Sequence, residues 1–393
     1  MTRVAVLFGG RSVEHEVSVI TAHQAMAALS LPHRAVPVYI AKDGRWYTGD
    51  GLRDLQRFAD VDRLLAECTQ VTALFDPPRG VLTLQEVGAG TRRGMFGRGG
   101  SEGVEVDVAM PLLHGPFGED GTVQGVLELA GIPYTGSGVA ASAVAMDKRL
   151  SKTVFRAAAL PVLDDVLIDG IHWEGDAARC IAATAALGAS EFFVKPLTLG
   201  SSIGVSRAVD EATLRDAVDL ALTYDTRCIV EAAQDGIVEV NCAVLGDETA
   251  TRASLLEQPT TRGLLSYDDK YRAKSGGSKG MKTAQRLIPA PLDPGLTAHI
   301  RAAASTAFAA VGASGVARVD FLVDPARSRF VVNEINALPG SLSFYLFEPD
   351  GLPFSALLDE LIAIATRRHA RLARTTRAFE RWMLQAPGPK SAG

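Results

Sequence analysis

The sequence predicts an α/β protein, with a parallel sheet in its first third and an α+β mixture of strand pairs and helices after it. Three observations carry this. Short apolar runs alternate with helix-period patterns in the first third; a Gly9-Gly10 turn closes the first apolar run; and strand, glycine loop, strand follows later, around Gly200. At 393 residues and 47% hydrophobic content, the chain has apolar side chains for a core in each of two or three domains. With 40 Lys plus Arg against 45 Asp plus Glu, a net charge of -5 gives no general pull towards nucleic acid or an anionic membrane. A small-molecule partner is the expectation.

Val4-Ala5-Val6-Leu7-Phe8 reads as a buried strand, with a helix over 14–29 behind its glycine turn. Residues 88–104 are glycine-rich, interleaved with Arg92, Arg93 and Arg98, and read as a mobile surface insertion. A strand over 106–110 leads to a loop at 113–121, too dense in Gly and Pro for a regular element, and then to a helix capped by Thr122. A helix over 147–160 places Leu150, Val154, Phe155 and Ala158 on one face, and Pro161 ends it. Residues 192–205 read as strand, loop, strand, with a helix at 212–224. Strands at 228–231, 238–245, 317–323 and 330–335 and an amphipathic helix at 354–368 complete the pattern, and a loose tail runs past Trp382. The expected division is 1–135, 136–226, 227–370 and a tail at 371–393. Cys68, Cys180, Cys228 and Cys242 lack the spacing of a zinc site or disulfide scaffold, so free thiols in a reducing cytoplasm are expected. No signal peptide is read at the N-terminus, and no run approaches the roughly 18 to 20 apolar residues of a bilayer span.

The strongest constellation is Ala317-Arg318-Val319-Asp320 followed, across a hairpin-length gap, by Asn333-Glu334-Ile335-Asn336. Alternate residues of a strand share a face, so Arg318 goes with Asp320 and Glu334 with Asn336. Asp320, Glu334 and Asn336 offer oxygen ligands of the kind Mg2+ favours, with Arg318 beside them as an anion clamp; a solvated sheet face with an incidental salt bridge is the plainer alternative. Lys195 ends a strand directly before Leu199-Gly200-Ser201-Ser202-Ile203-Gly204, where backbone N–H groups and hydroxyls suit phosphate oxygens. A strand follows this loop, so it is a hairpin flap and not a Walker A loop. Lys148 is a second phosphate candidate. Ser266-Tyr267-Asp268-Asp269-Lys270-Tyr271, running into the glycine tract 275–280, suits a lid over substrate as well as an exposed loop. Glu14 and Glu16 lie at the carboxyl end of the first strand, where either could hold an ammonium group or simply favour a helix N-terminus. His114 sits in the Gly and Pro loop beside Glu119 and Asp120.

Taken together, the segments resemble the D-alanine–D-alanine ligase family of the ATP-grasp superfamily over nearly the whole chain. The matching runs are Phe8-Gly9-Gly10-Arg11-Ser12-Val13-Glu14-His15-Glu16-Val17-Ser18, Leu113-His114-Gly115-Pro116-Phe117-Gly118-Glu119-Asp120-Gly121, Gly136-Ser137-Gly138 with Met146-Asp147-Lys148, the loop from Gly200 to Gly204, Lys270-Tyr271, and the two strands around Asp320 and Glu334. The resemblance implies an ATP-grasp fold behind an N-terminal parallel-sheet domain, and ATP-dependent ligation of two D-alanines through an acyl phosphate for peptidoglycan precursors. It also implies two Mg2+, for which Mn2+ can substitute, in a cytoplasmic homodimer. By matching position, Lys148, Lys195, Ser201, Ser202 and Lys270 serve the ATP phosphates, Glu231 and Glu239 the adenosine pocket, and Asp320, Glu334 and Asn336 the metal. Glu14 takes the first ammonium in a hydrogen-bonded set with Ser201 and Tyr271, while Arg318 and the Gly340 N–H stabilise the oxyanion and His114 lies on the substrate side.

Three departures from the family pattern stand out. Pro339-Gly340-Ser341-Leu342-Ser343-Phe344-Tyr345 puts Tyr345 where the family has a serine for the second substrate's carboxylate, with Ser341 or Ser343 as stand-ins. The lid carries the 275–280 tract, and the run from Glu231 to Glu239 is one residue longer than usual. The alternative is a related biosynthetic ligase with a different second amino acid. A regulatory protein without catalysis would lack Arg318 or a metal ligand, and Gly9-Gly10 is not a dinucleotide-binding turn.

Overall fold

The computed structural model of the chain describes residues 1–88, 103–260 and 286–376. Strand β1 (Thr2–Gly9) and β2 (His33–Ile40) run parallel, connected by α1 (His15–Ala28). The chain continues through β3 (Trp46–Thr48), α2 (Val61–Ala66), β4 (Thr69–Asp76), β5 (Val81–Glu86) and β6 (Val104–Val106), then returns beside β1 as β7 (Val108–Pro111). The sheet order is β6-β5-β4-β3-β2-β1-β7. Only the pairs of β1 are parallel; from β2 to β6 every pair is antiparallel. The sheet is therefore mixed and not parallel throughout, because a turn at 41–45 is too short for a crossover. The single strand expected over 106–110 is two: Asp107 breaks it, its carboxylate accepting the Arg3 backbone N–H at 2.7 Å. Since β6 and β7 are the two edges of the sheet and adjoin in the chain, the sheet curls until its edges meet.

The middle of the chain contributes α3 (Thr122–Leu129), α4 (Val139–Met146), α5 (Lys148–Ala157), β8 (Asp165–Asp169), α6 (Gly170–Gly175), α7 (Ala177–Thr184), β9 (Phe192–Pro196), β10 (Ser206–Ala208), α8 (Glu211–Leu222) and β11 (Arg227–Ala232). The antiparallel sheet β10-β9-β11-β8 buries Val194, Ile168 and Val230 against Trp173, Leu214 and Val218. Strand β11, expected to open the last domain, hydrogen-bonds between β9 and β8 and so belongs to this sheet. The flap's second strand starts at Ser206 rather than Ile203, because Ser201, Ser202 and Gly204 all have positive φ and cannot continue a strand. Thr122 is the first residue of α3 and not its cap; Gly121 holds that place with φ 94°, and Asp120 accepts the Thr122 N–H.

The last part holds β12 (Val238–Gly246), β13 (Thr251–Pro259), β14 (Arg286–Leu287), α9 (Pro294–Ala310), β15 (Gly315–Asp324), β16 (Arg329–Asn336) and α10 (Phe354–Ala373). Its antiparallel sheet runs β14-β13-β12-β15-β16. On β15, Ala317, Val319, Phe321 and Val323 pack with Phe308 and Ile300 of α9, so Arg318, Asp320 and Leu322 must point the other way. Helix α10 carries Leu357, Leu358 and Leu361 into one core with Val4, Val6 and Phe8 of β1 and Leu245 and Val316 of the last sheet. That shared core fixes the first sheet against the last. Among the described residues no helix is long and apolar enough to cross a membrane.

Candidate active site

Strand register assembles the site. Across four strands, Glu257 of β13 lies opposite Asn241 of β12, Asn241 opposite Asp320 of β15, and Asp320 opposite Glu334 of β16; Arg318 lies opposite Asn336. The two expected strands thus meet as an antiparallel hairpin with their polar residues on one face. Asn336 Nδ2 donates to Asp320 Oδ2 at 3.1 Å, and Arg318 Nε and Nη2 donate to the two oxygens of Asp320 at 2.6 Å each. Arg318 was expected to share a face with Asp320 as an anion clamp, and here its Nε and Nη2 lie against that carboxylate, two residues along the same face. Burial works against its charge, but Asp320 outweighs that, raising its pKa well above the ordinary arginine value.

The middle part supplies lysines to the same face. Lys148 opens α5 behind the Asp147 cap, donating to Leu199 O at 2.5 Å and lying 3.4 Å from Glu334 Oε2. Lys195, on β9, pairs with Glu231 Oε2 at 2.6 Å and donates to Asn333 Oδ1 at 3.0 Å. Burial disfavours its charge, yet Glu231, Glu334 and Glu239 together raise its pKa. The cleft between the two sheets has a volume of about 590 Å3, within the range of small-molecule sites. Lys148, Lys195, Ser202, Glu239, Asp320 and Glu334 line its polar part, and Leu163, Phe193, Ile237 and Leu322 its apolar part. Glu231 also lines it, one oxygen paired with Lys152 and the other with Lys195.

Glu14 immediately precedes α1 without capping it, because its side chain turns to the flap, where Ser201 Oγ donates to Oε1. It is 4% exposed, and Oε2 has no hydrogen-bond partner among the described residues. Burial first, and then Glu119, raise its pKa from the ordinary carboxylate value of 4.5. His114 lies behind it, Nε2 being 3.1 Å from Thr21 Oγ1 and Nδ1 3.6 Å from Glu119 Oε1. Two of the three groups expected in one hydrogen-bonded set are therefore joined. Lys270 and Tyr271, like most of the 88–104 insertion, fall outside the described residues.

The segment after β16 differs from expectation. Ser341, Leu342 and Ser343 have φ near 50°, which folds the turn back onto α1: Ser341 N–H donates to Thr21 Oγ1 at 3.1 Å and its hydroxyl to Gln24. Both serines are fully buried, and neither lines the cleft. Gly340 begins the turn. Tyr345 occupies the counted position, its hydroxyl donating to Glu257 Oε2 at 3.1 Å and its ring 4.3 Å beneath the Arg286 guanidinium.

Residues 3–137 match the family described as D-ala D-ala ligase N-terminus, and residues 154–363 match D-ala D-ala ligase C-terminus. The chain belongs to the D-alanine–D-alanine ligase family. It is 37% identical over 369 residues to the D-alanine–D-alanine ligase of Chlorobium phaeovibrioides, covering 92% of this chain and 96% of that one. With the Streptomyces avermitilis D-alanine–D-alanine ligase it shares 39% over 383 residues, 94% of this chain and 95% of that one. Among solved structures, the Coxiella burnetii D-alanine–D-alanine ligase superposes with a TM-score of 0.76 at 32% identity, covering 95% of this chain and 98% of that one. The VanG D-Ala:D-Ser ligase from Enterococcus faecalis gives 0.74 at 29%, covering 93% and 99%. Membership makes this an ATP-dependent ligase. Sequence reading gave no role to Asn333, which lines the ligase cleft, or to Lys152, which lies behind its wall against Glu231. Lys152 had a signal: it lies one helical turn from Lys148.

Proposed function

We propose that the chain joins two D-alanines into D-alanyl-D-alanine through an acyl phosphate, in the cytoplasm, for peptidoglycan precursors. The observation that carries this is the convergence of Lys148 and Lys195 with Asp320 and Glu334 on one cleft, in a chain whose relatives are D-alanine–D-alanine ligases. The cleft lies between the middle sheet, β10-β9-β11-β8, and the last sheet, with 1–135 on the first-substrate side and the family's homodimer as the assembly.

A carboxylate is a poor electrophile, so the first amino acid's carboxylate oxygen attacks the γ-phosphorus of ATP and ADP departs. Lys148 and Lys195, held against Glu334 and Asn333, orient the phosphates, and the flap at Ser201 and Ser202 covers them. Asp320, Glu334 and Asn336 give two anionic oxygens and one neutral oxygen on paired strands, a donor set that fits Mg2+. Bound there, Mg2+ supplies charge neutralisation to the triphosphate. Glu14, with its unpartnered Oε2, receives the first ammonium group. The second amine then attacks the acyl carbon, phosphate leaves, and Arg318 with the Gly340 N–H stabilises the oxyanion in between. The apolar slot of Phe193, Ile237 and Leu322 suits an adenine.

Phosphate release from ATP, measured with a panel of D- and L-amino acids, tests the reading. D-alanine alone is expected to stimulate release and yield the dipeptide. Release with no amino acid in the panel would end the ligase reading, and release only with D-alanine plus a different partner would replace the second substrate.

A further inference from the structure

Lys152 is 1% exposed, makes no part of the cleft wall, and has no role in the chemistry above. It lies one turn after Lys148 on the face of α5 that buries Lys148, Ser151, Lys152 and Phe155. A buried ammonium is costly unless paired. Its Nζ pairs with Glu231 Oε1, donates to Leu163 O at 3.2 Å, and stands 3.8 Å from Asp165 Oδ1. Asp165 is held from outside by Arg149 at 3.6 Å and Arg156 at 3.5 Å, which leaves Lys152 to Glu231.

The other oxygen of the same carboxylate binds Lys195. Two lysines thus share one glutamate, so this trio carries one net positive charge, and Glu334 and Glu239 of the cleft wall face Lys195 from its other side. An ammonium has three donors. At Lys195, Glu231 and Asn333 take two, and among the described residues no hydrogen bond occupies the third, on a side chain that lines the cleft. Were Glu231 paired with Lys195 alone, the pair would be neutral and the carboxylate, bare on one side, would hold Lys195 back from an incoming phosphate.

We propose that Lys152 is a positioning residue for the nucleotide: by sharing Glu231 with Lys195, it keeps a positive charge on Lys195 available to the phosphates and fixes where that charge sits. The inference rests on the cleft being the nucleotide site. The protonation balance is consistent with it. Burial pushes Glu231 upward, yet Lys195 and Lys152 hold it down at about 2, so the bridge is an anion between two cations. Lys152 itself is lowered, chiefly by burial, and Lys195 raised, since Lys195 alone also faces Glu334 and Glu239.

The test is calorimetric binding of adenylyl imidodiphosphate with Mg2+ to the full chain, beside D-alanine-stimulated phosphate release. Lys152→Met is expected to weaken nucleotide binding about tenfold or more and leave the KM for D-alanine in place; Lys152→Arg recovers most of the affinity. Removing the carboxylate as well frees Lys195, so the double variant E231Q with K152M binds tighter than K152M alone. If K152M does not fold, E231Q and the double variant decide: Lys152 acting through Glu231 requires equal affinities. K152M binding like the unaltered chain, or a double variant weaker than E231Q by about tenfold, overturns the proposal. If the unaltered chain binds nucleotide but no amino acid stimulates turnover, the ligase reading fails and the role of Lys152 stands.

Discussion

At Glu14, one carboxylate oxygen takes the Ser201 hydroxyl and the other, buried, has no hydrogen-bond partner among the described residues. Burial and the neighbouring Glu119 favour its protonated form and raise its pKa above 4.5. A protonated Glu14 cannot neutralise an ammonium group. The KM for the first D-alanine should therefore fall as pH rises through this raised pKa and level off above it, and Glu14→Gln should erase that pH dependence. A profile unchanged by the substitution would remove Glu14 from substrate binding. Tyr345 marks the opposite corner: its hydroxyl satisfies Glu257, which Arg286 and Asn241 also hold, at 3.1 and 3.3 Å. Burial and Glu257 push the phenol upward, so it stays neutral, and this wall next to Arg318 is bulkier than a serine would make it.

At the scale of elements, β15 shows how a single alternating strand serves both stability and chemistry. Its odd-numbered residues enter the α9 core, which forces Arg318 and Asp320 into the cleft, and a shift of one residue would exchange the two sets. Helix α5 follows a different rule. Its apolar face was expected to contain Leu150, which is 50% exposed, while two lysines are buried because carboxylates on β11 and β16 meet them. The loop after β7 places Glu14 by close packing. Gly115 has φ 75°, and a Cβ there would sit 2.4 Å from Ser12 Oγ and 2.8 Å from Glu14 Oε2. Gly115→Ala should accordingly raise the KM for D-alanine by about tenfold, of order 1.4 kcal/mol, with a smaller effect on the KM for ATP. Equal effects on both would indicate a general loss of structure instead.

Over the whole molecule, α10 is the joint. Leu357, Leu358 and Leu361 are nearly inaccessible and pack against strands of both the first and the last sheet. Leu357→Ala should cost about 2–5 kcal/mol in denaturant unfolding. Because the cavity would open in the core that fixes the first sheet, whose β1 leads into the loop of Glu14, against the last sheet, which carries Arg318, activity should fall at temperatures below those of global unfolding; unfolding and inactivation curves that coincide would argue against the joint.

Much of the fold and site could be read from the chain, since the signals were local. Period-two patterns located β15 and β16, the glycine loop located the flap, and seven ordered runs located the family. What escaped depended on partners distant in sequence: the antiparallel half of the first sheet, the place of β11 between β9 and β8, and the hold of α1 on Ser341. Sequence by itself determined which chemical groups are present and which side of each strand they share, because backbone geometry sets that alternation. Only the tertiary structure decided which of them are charged, paired or free. A carboxylate such as Glu231 looks the same in sequence whether it meets adenosine or two lysines, and its protonation follows from burial and neighbouring charge that packing alone creates.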